Sequence, residues 1–140
     1  MPKRVSFKDK ITVDATDLSN FARSVELSSE HERVDVSGFN PTGSNEYLAG
    51  TTEQSVTVEF YGAYGVAEVH AILYPLHKNR TTCSFKWLPD STVAIGPTNP
   101  ELRGNCQVLS YSPGSTRGEA DTYEVQFTAS DAAGLAFFTT

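Results

Sequence analysis

Residues 55–76 read SVTVEFYGAYGVAEVHAILYPL, and the hydrophobic period changes halfway along them. Val56, Val58 and Phe60 alternate with Thr57, Glu59 and Tyr61, the two-residue period of a half-buried strand. After Gly62 the apolar residues Val66, Val69, Ile72, Leu73 and Leu76 recur at three and four, which predicts an amphipathic helix over 66–76. Pro75 lies in its final turn, where a missing N–H and a clash with the preceding turn should stop it. Everything else in the chain reads as strands and turns, so this is the one helix.

Outward from that stretch, SVELS and VDVS place Val25 with Leu27 and Val34 with Val36 on strand faces. Glu30, His31, Glu32 and Arg33 are expected at a bend between them. A helix over LSSEHERV is the competing reading, because Ser and Glu stand where an N-cap pattern wants them. Residues 37–52, SGFNPTGSNEYLAGTT, have turn composition and no clear period, which predicts a long loop anchored by Phe39, Tyr47 and Leu48. TTCSFKWL and STVAI read as further strands, followed by a long pair over NPELRGNCQVLSYSPG and DTYEVQFTAS. Residues 1–14 read as a loosely held arm whose alternation at Val5/Phe7 and Ile11/Val13 suits a sheet edge. The tail DAAGLAFFTT ends apolar and is expected to dock. Six to eight strands with one central helix make a single domain over 1–140: mainly β (α+β), an antiparallel sandwich or barrel with one flanking helix.

Composition narrows the function. At 140 residues, 39 % hydrophobic and 20 % charged, the chain is long enough for a sizeable core. No apolar run approaches the roughly 20 residues of a membrane span, and the basic start lacks the apolar stretch of a signal peptide, so no membrane anchor and a cytoplasmic origin are expected. The net charge of −6 argues against nucleic-acid binding, which needs clustered Lys and Arg. No basic residue falls between Arg33 and Lys78, while Asp35, Glu46, Glu53, Glu59 and Glu68 do; four of the eleven basic residues lie in the first ten positions.

Chemistry is sparse. Cys83 and Cys106 lack metal-ligand spacing and read as buried reduced thiols. His70 and His77 are seven apart, without the i, i+4 pairing and third ligand a metal needs; His70 reads as a solvent-facing helix residue, and His31 as part of a solvated charged bend. No nucleophile elbow, phosphate loop or dinucleotide fingerprint occurs. No catalytic residue, metal or cofactor is therefore expected.

The ordered pattern DLSNFARSVELS, LAGTTEQSVTVEFYG, the helix ending LYPL, and PTNPELRGNCQVLSYSPGSTRGEADTYEVQFTAS spans Asp17 to Ser130. It resembles the tail tube proteins (major tail proteins) of long-tailed, non-contractile bacteriophages. Tyr74 stands where that family often has Trp, and Cys106 where small or β-branched residues are usual. The resemblance implies homo-hexameric rings stacked into a hollow tube in the virion, assembled in the host bacterial cytoplasm. It also implies partners among other tail proteins (tape measure, tail tip, terminator) and a lumen through which DNA passes without specific binding. By position, Phe39, Tyr47 and Leu48 would stack on neighbouring subunits, as would Val5 and Phe7 of the arm. Glu53 and Glu59 are the acidic candidates for the lumen wall, where like charge keeps DNA sliding. Two alternatives stand beside this: a tail terminator or head–tail joining ring, and a non-viral β-sandwich binding module. A domesticated injection-system tube protein of bacteria would share the architecture.

Overall fold

In the computed structural model, which describes residues 8–39, 43–62, 64–66, 68–131 and 133–140, eight strands and one helix follow in the order β1 (Lys10–Val13), β2 (Thr16–Asp17), β3 (Ala22–Asp35), β4 (Tyr47–Tyr61), α1 (Val69–Asn79), β5 (Cys83–Leu88), β6 (Glu101–Gly114), β7 (Thr122–Ala129) and β8 (Ala136–Phe138). All strands join one antiparallel sheet in the order β2-β1-β5-β6-β7-β4-β3, with β8 beside the start of β6. The mainly β, antiparallel, one-helix architecture expected from the periodicity is the one observed.

Alternation sorts the sheet into two faces. Val56, Val58 and Phe60 of β4 and Tyr123, Val125 and Phe127 of β7 are fully buried and pair in register, Val56 with Phe127, Val58 with Val125 and Phe60 with Tyr123. Phe85, Leu102, Cys106 and Val108 extend the core across β5 and β6. Val69, Leu73 and Leu76 of α1 cover it. His77 Nδ1 lies 3.1 Å from the Val108 carbonyl, which accepts its hydrogen and ties the helix to β6.

Several expectations are corrected. The helix runs three residues later than its stripe, and Val66 stands outside it, 98 % exposed. Pro75 lies inside the helix; it and Ala71, whose carbonyl loses its partner, are both exposed, so water can serve the orphaned oxygen. The stop comes instead from Arg80, in the left-handed region at φ 55°, with the Thr81 N–H returning to the Leu76 carbonyl at 3.1 Å. The expected bend at Glu30–Arg33 is absent: β3 runs unbroken for 14 residues because β4 pairs with it throughout. His31 sits within that strand, its Nδ1 2.8 Å from Thr52 Oγ1. Tyr47–Thr52, read as the end of the 37–52 loop, are strand; exposure on both faces had erased their period. Of the arm over 1–14, Lys10–Val13 is no loose segment, since Ile11 and Val13 are buried against β5. Val5 and Phe7 lie outside the described residues. STVAI is a turn region, with a single bridge between Gly96 and Asn99.

Candidate assembly surface

The β3–β4 hairpin outruns the sheet that holds it. β4 pairs β7 only from Ser55 to Tyr61, whereas its pairing with β3 continues to Tyr47. Beyond Glu30 and Glu53 every described residue of the hairpin is exposed. The projecting part is nevertheless ordered by its own ladder. Val36 N–H donates to the Glu46 carbonyl at 3.0 Å, and Glu46 N–H donates to Ser37 Oγ at 2.8 Å. The Ser37 hydroxyl and N–H also hold the Asp35 carboxyl below its usual range. The Arg33 guanidinium lies 3.7 Å from the Tyr47 ring centre, a cation–π contact.

A β-bulge twists this arm at its root. His31 pairs Thr52 and Arg33 pairs Ala49, so Glu32 faces both Gly50 and Thr51. Gly50 fits because it lacks a side chain: a Cβ there would stand 2.8 Å from Val34 Cγ2 and 3.2 Å from the Glu32 carbonyl oxygen. Beyond the bulge Val34 pairs Leu48, both in water, with Leu48 61 % exposed. Val36, Tyr47 and Phe39 add further exposed apolar surface. Of the five residues expected at inter-subunit contacts, the structure therefore gathers Tyr47 and Leu48 on one arm, with Phe39 following it, and Val34 and Val36 join them. Their signal was already present in the VDVS alternation.

Glu53 and Glu59 lie on the sheet face opposite the core, in the register set Glu53, Ser55, Thr57, Glu59. Neighbouring strands add Glu26, Ser28 and Glu30 from β3 and Glu124, Gln126 and Thr128 from β7. Two carboxylate pairs stand directly across from one another, Glu30 with Glu53 and Glu59 with Glu124. Like charges so placed destabilise a sheet by roughly 0.2–1 kcal/mol. Arg23 Nη1, 3.1 Å from Glu59 Oε1, offsets part of one pair, but both side chains are solvated enough to make the ion pair weak. Periodicity pointed to Glu59; Glu30 and Glu124 became visible only through the register.

Where β4 leaves β7, a fork opens between the hairpin and the C-terminal segment. Gln54 bridges its root: its Nε2 donates to the Leu135 carbonyl and its Oε1 accepts from the Leu135 N–H, both at 2.8 Å. Gly134 beside it sits at φ 65°, and a Cβ there would collide with the Gln54 amide oxygen. Leu135 is thereby held in the core and β8 against β6. The groove of about 910 Å³ beyond the bridge is lined by Glu30, Glu53, Asp131, Leu109 and Ala133 among others, and by no Lys or Arg.

Elsewhere the side chains are structural. Burial pushes the Cys83 thiol up to about 11, with Asp14 adding to it, and the Cys106 thiol up to about 12. Raised in this way and buried, both are protonated at neutral pH, which makes them poor nucleophiles. His70 is not solvent-facing as expected; its Nδ1 lies 2.8 Å from Tyr111 Oη and its ring stacks on Tyr74 at 5.2 Å. Burial also raises Tyr111 to about 12. Among the described residues no group of three His, Cys, Asp or Glu is placed to hold a metal ion, and no helix is long and apolar enough to cross a membrane.

No family model and no curated protein matches the chain. Solved structures do. A chain of the virion of a native gene transfer agent particle superposes with a TM-score of 0.73 at 18 % identity, covering 94 % of this chain and 95 % of that one. A chain of the anti-feeding prophage baseplate, 6-fold symmetrised, gives 0.70 at 10 % identity over 99 % and 97 %. The tail tube of SPP1 gives 0.69 at 14 % identity over 95 % and 76 %. The chain has the fold of these tail proteins.

Proposed function

We propose that this chain is a structural protein of a bacteriophage-like tail, with no catalytic role. Copies of it join into hexameric rings that stack as a hollow tube in the virion. The observation that carries this reading is the projecting hairpin: Val34, Tyr47 and Leu48 are exposed on an ordered arm of which no described residue is buried in its own subunit. Such a surface gains stability only when another molecule covers it, at roughly 25 cal/mol per Å² of apolar area removed from water. The tail-protein fold supports the reading, and the six-fold symmetry of the anti-feeding prophage baseplate supports the ring number.

The sheet supplies a second contact. β3 ends the strand order, so one side of its 14-residue backbone meets no strand among the described residues. An edge of that length is a template for strand pairing. Identical subunits adding edge to edge close into a ring if their rotation closes. With α1 covering the core face, the opposite face is left to line the bore. Across β3, β4 and β7 that face carries Ser, Thr, Gln and Glu side chains, Glu53 and Glu59 included, with Arg23 tied to Glu59. Lys86 and Arg103 lie on its β5–β6 part. The acidic part would repel phosphate and let DNA slide. Assembly in the host cytoplasm and contacts with tape measure, tail tip and terminator proteins belong to the same reading.

Negative-stain microscopy of concentrated protein tests it: tubes or stacked rings are expected, and a strict monomer under all conditions, with or without a tail-tip initiator, overturns it. A terminator would stop at one ring. Shortening the tip between Val36 and Glu46 should then leave its ring intact, whereas a tube protein should keep its fold and lose its polymers.

A further inference from the structure

A cavity of about 360 Å³ opens where the end of α1 passes β6. His77, Lys78 and Arg80 line it from the helix end, Gln107 and Leu109 from β6, and Thr128 from β7. β5 pairs β6 only as far as Cys106, so the flank of β6 beyond that residue is left to the helix end. By register Gln107 and Thr128 stand on the sheet face opposite the core. Leu109 and Thr128 are shared with the acidic groove, yet no carboxylate lines this second cavity.

Its lining suits an anion. Lys78 and Arg80 are exposed and form no ion pair among the described residues. Gln107 adds an amide and Thr128 a hydroxyl. His77 is fixed in place by its Nδ1 hydrogen on the Val108 carbonyl. The last carbonyls of a helix repel anions, but here they are occupied: Leu76 accepts from the Thr81 N–H at 3.1 Å and His77 from the Arg80 N–H at 3.4 Å. In a chain of net charge −6, two cations thus meet in one cavity with no acid between them.

The backbone at Arg80 adds a separate argument. It lies in the left-handed region at φ 55° and ψ 37°, a conformation that costs any residue with a Cβ and that glycine adopts freely. Glycine would end the helix better, so the arginine side chain has a use that helix termination does not supply.

We infer that this cavity binds a phosphate group, with Lys78 and Arg80 as its counter-charges and Gln107 and Thr128 as neutral hydrogen-bond partners. A tetrahedral oxyanion offers oxygens to all four. The planar arginine fork can give it two parallel bonds, and lysine a point charge. Free phosphate and the phosphates of a DNA backbone share this chemistry. The second source, which rests on the tube reading, would give each subunit one weak hold on DNA beside the acidic region that repels it.

Inorganic phosphate is the first probe, titrated into the full chain by equilibrium dialysis at constant ionic strength. One phosphate per chain is expected. Lys78→Gln with Arg80→Gln should weaken it about tenfold, and because both side chains are exposed the fold should survive. Arg80→Gly should unfold at a higher urea concentration than wild type and yet hold phosphate about tenfold more weakly, whereas an arginine of merely structural use would leave phosphate binding unchanged. A short DNA duplex is the second probe. Duplex that displaces the phosphate supports the site and assigns it to DNA; phosphate that stays bound supports it and assigns it to the free ion. No saturable phosphate, or equal affinity in wild type and both variants, overturns the inference and leaves the tube reading to microscopy. Phosphate bound by a chain that never polymerises overturns the tube reading alone.

Discussion

One pair of strands, β3 and β4, behaves as two different structures. In its inner half β4 is clamped between β3 and β7, and Val56, Val58 and Phe60 are wholly buried. In its outer half the same ladder continues into water, with Val34 and Leu48 paired but uncovered. Hydrogen bonding is shared by both halves; burial belongs to one. The lesson is that pairing sets where a strand runs, while side-chain burial sets what it is for. The inner half contributes to folding, and the outer half is the surface that the proposed assembly would cover.

The strongest way to break that contrast is to truncate each half. Phe60→Ala should cost about 3–5 kcal/mol in urea unfolding, through lost transfer energy and the cavity left behind. Leu48→Asp should leave the unfolding midpoint within about 0.5 kcal/mol of wild type yet abolish polymers in the microscope. Equal effects of the two on folding would mean that the arm packs on its own subunit.

Alkaline unfolding sharpens the inner side. Cys83 and Cys106 titrate near 11 and 12 when folded and near 9 when unfolded, so the unfolded chain releases protons first. Their contribution is therefore complete below about pH 9 and lost as pH rises through 11–12, on the order of 2 kcal/mol per thiol. Chemical denaturation between pH 8 and 11.5 should show this decline, and a Cys83→Ala, Cys106→Ala chain should show less of it.

The boundary between the halves is the next target. Gln54→Ala strips both hydrogen bonds from the Leu135 backbone and should cost about 1–3 kcal/mol, with faster hydrogen exchange confined to 130–138. The smallest effect belongs to the outer rim, where Glu53→Gln removes the opposition to Glu30 and should stabilise the subunit by roughly 0.2–1 kcal/mol in low salt, less in high salt.

Legibility in the sequence follows the same division. β4 from Ser55 and β7 were read correctly because one face of each is buried, and burial is what writes a two-residue period. The outer hairpin has no buried face, so Glu30–Arg33 looked like a bend and Tyr47–Thr52 like a loop. Pro75 does not end the helix, since its effect depends on whether the orphaned Ala71 carbonyl meets water. His70 turns towards Tyr111, 41 positions away, a partner that no local pattern shows. Phe39, Tyr47 and Leu48 could be named as exposed anchors, but their gathering around one arm could not.

The sequence by itself determined the mainly β class, the single helix, the acid-rich middle and the basic start, because local period and composition are properties of neighbouring residues. Tertiary structure alone decided the unbroken hairpin, the opposed carboxylates, the Gln54 bridge and the fork. Each of these needs groups far apart in the chain to meet, and strand register, which brings them together, is set by the whole sheet rather than by any one segment.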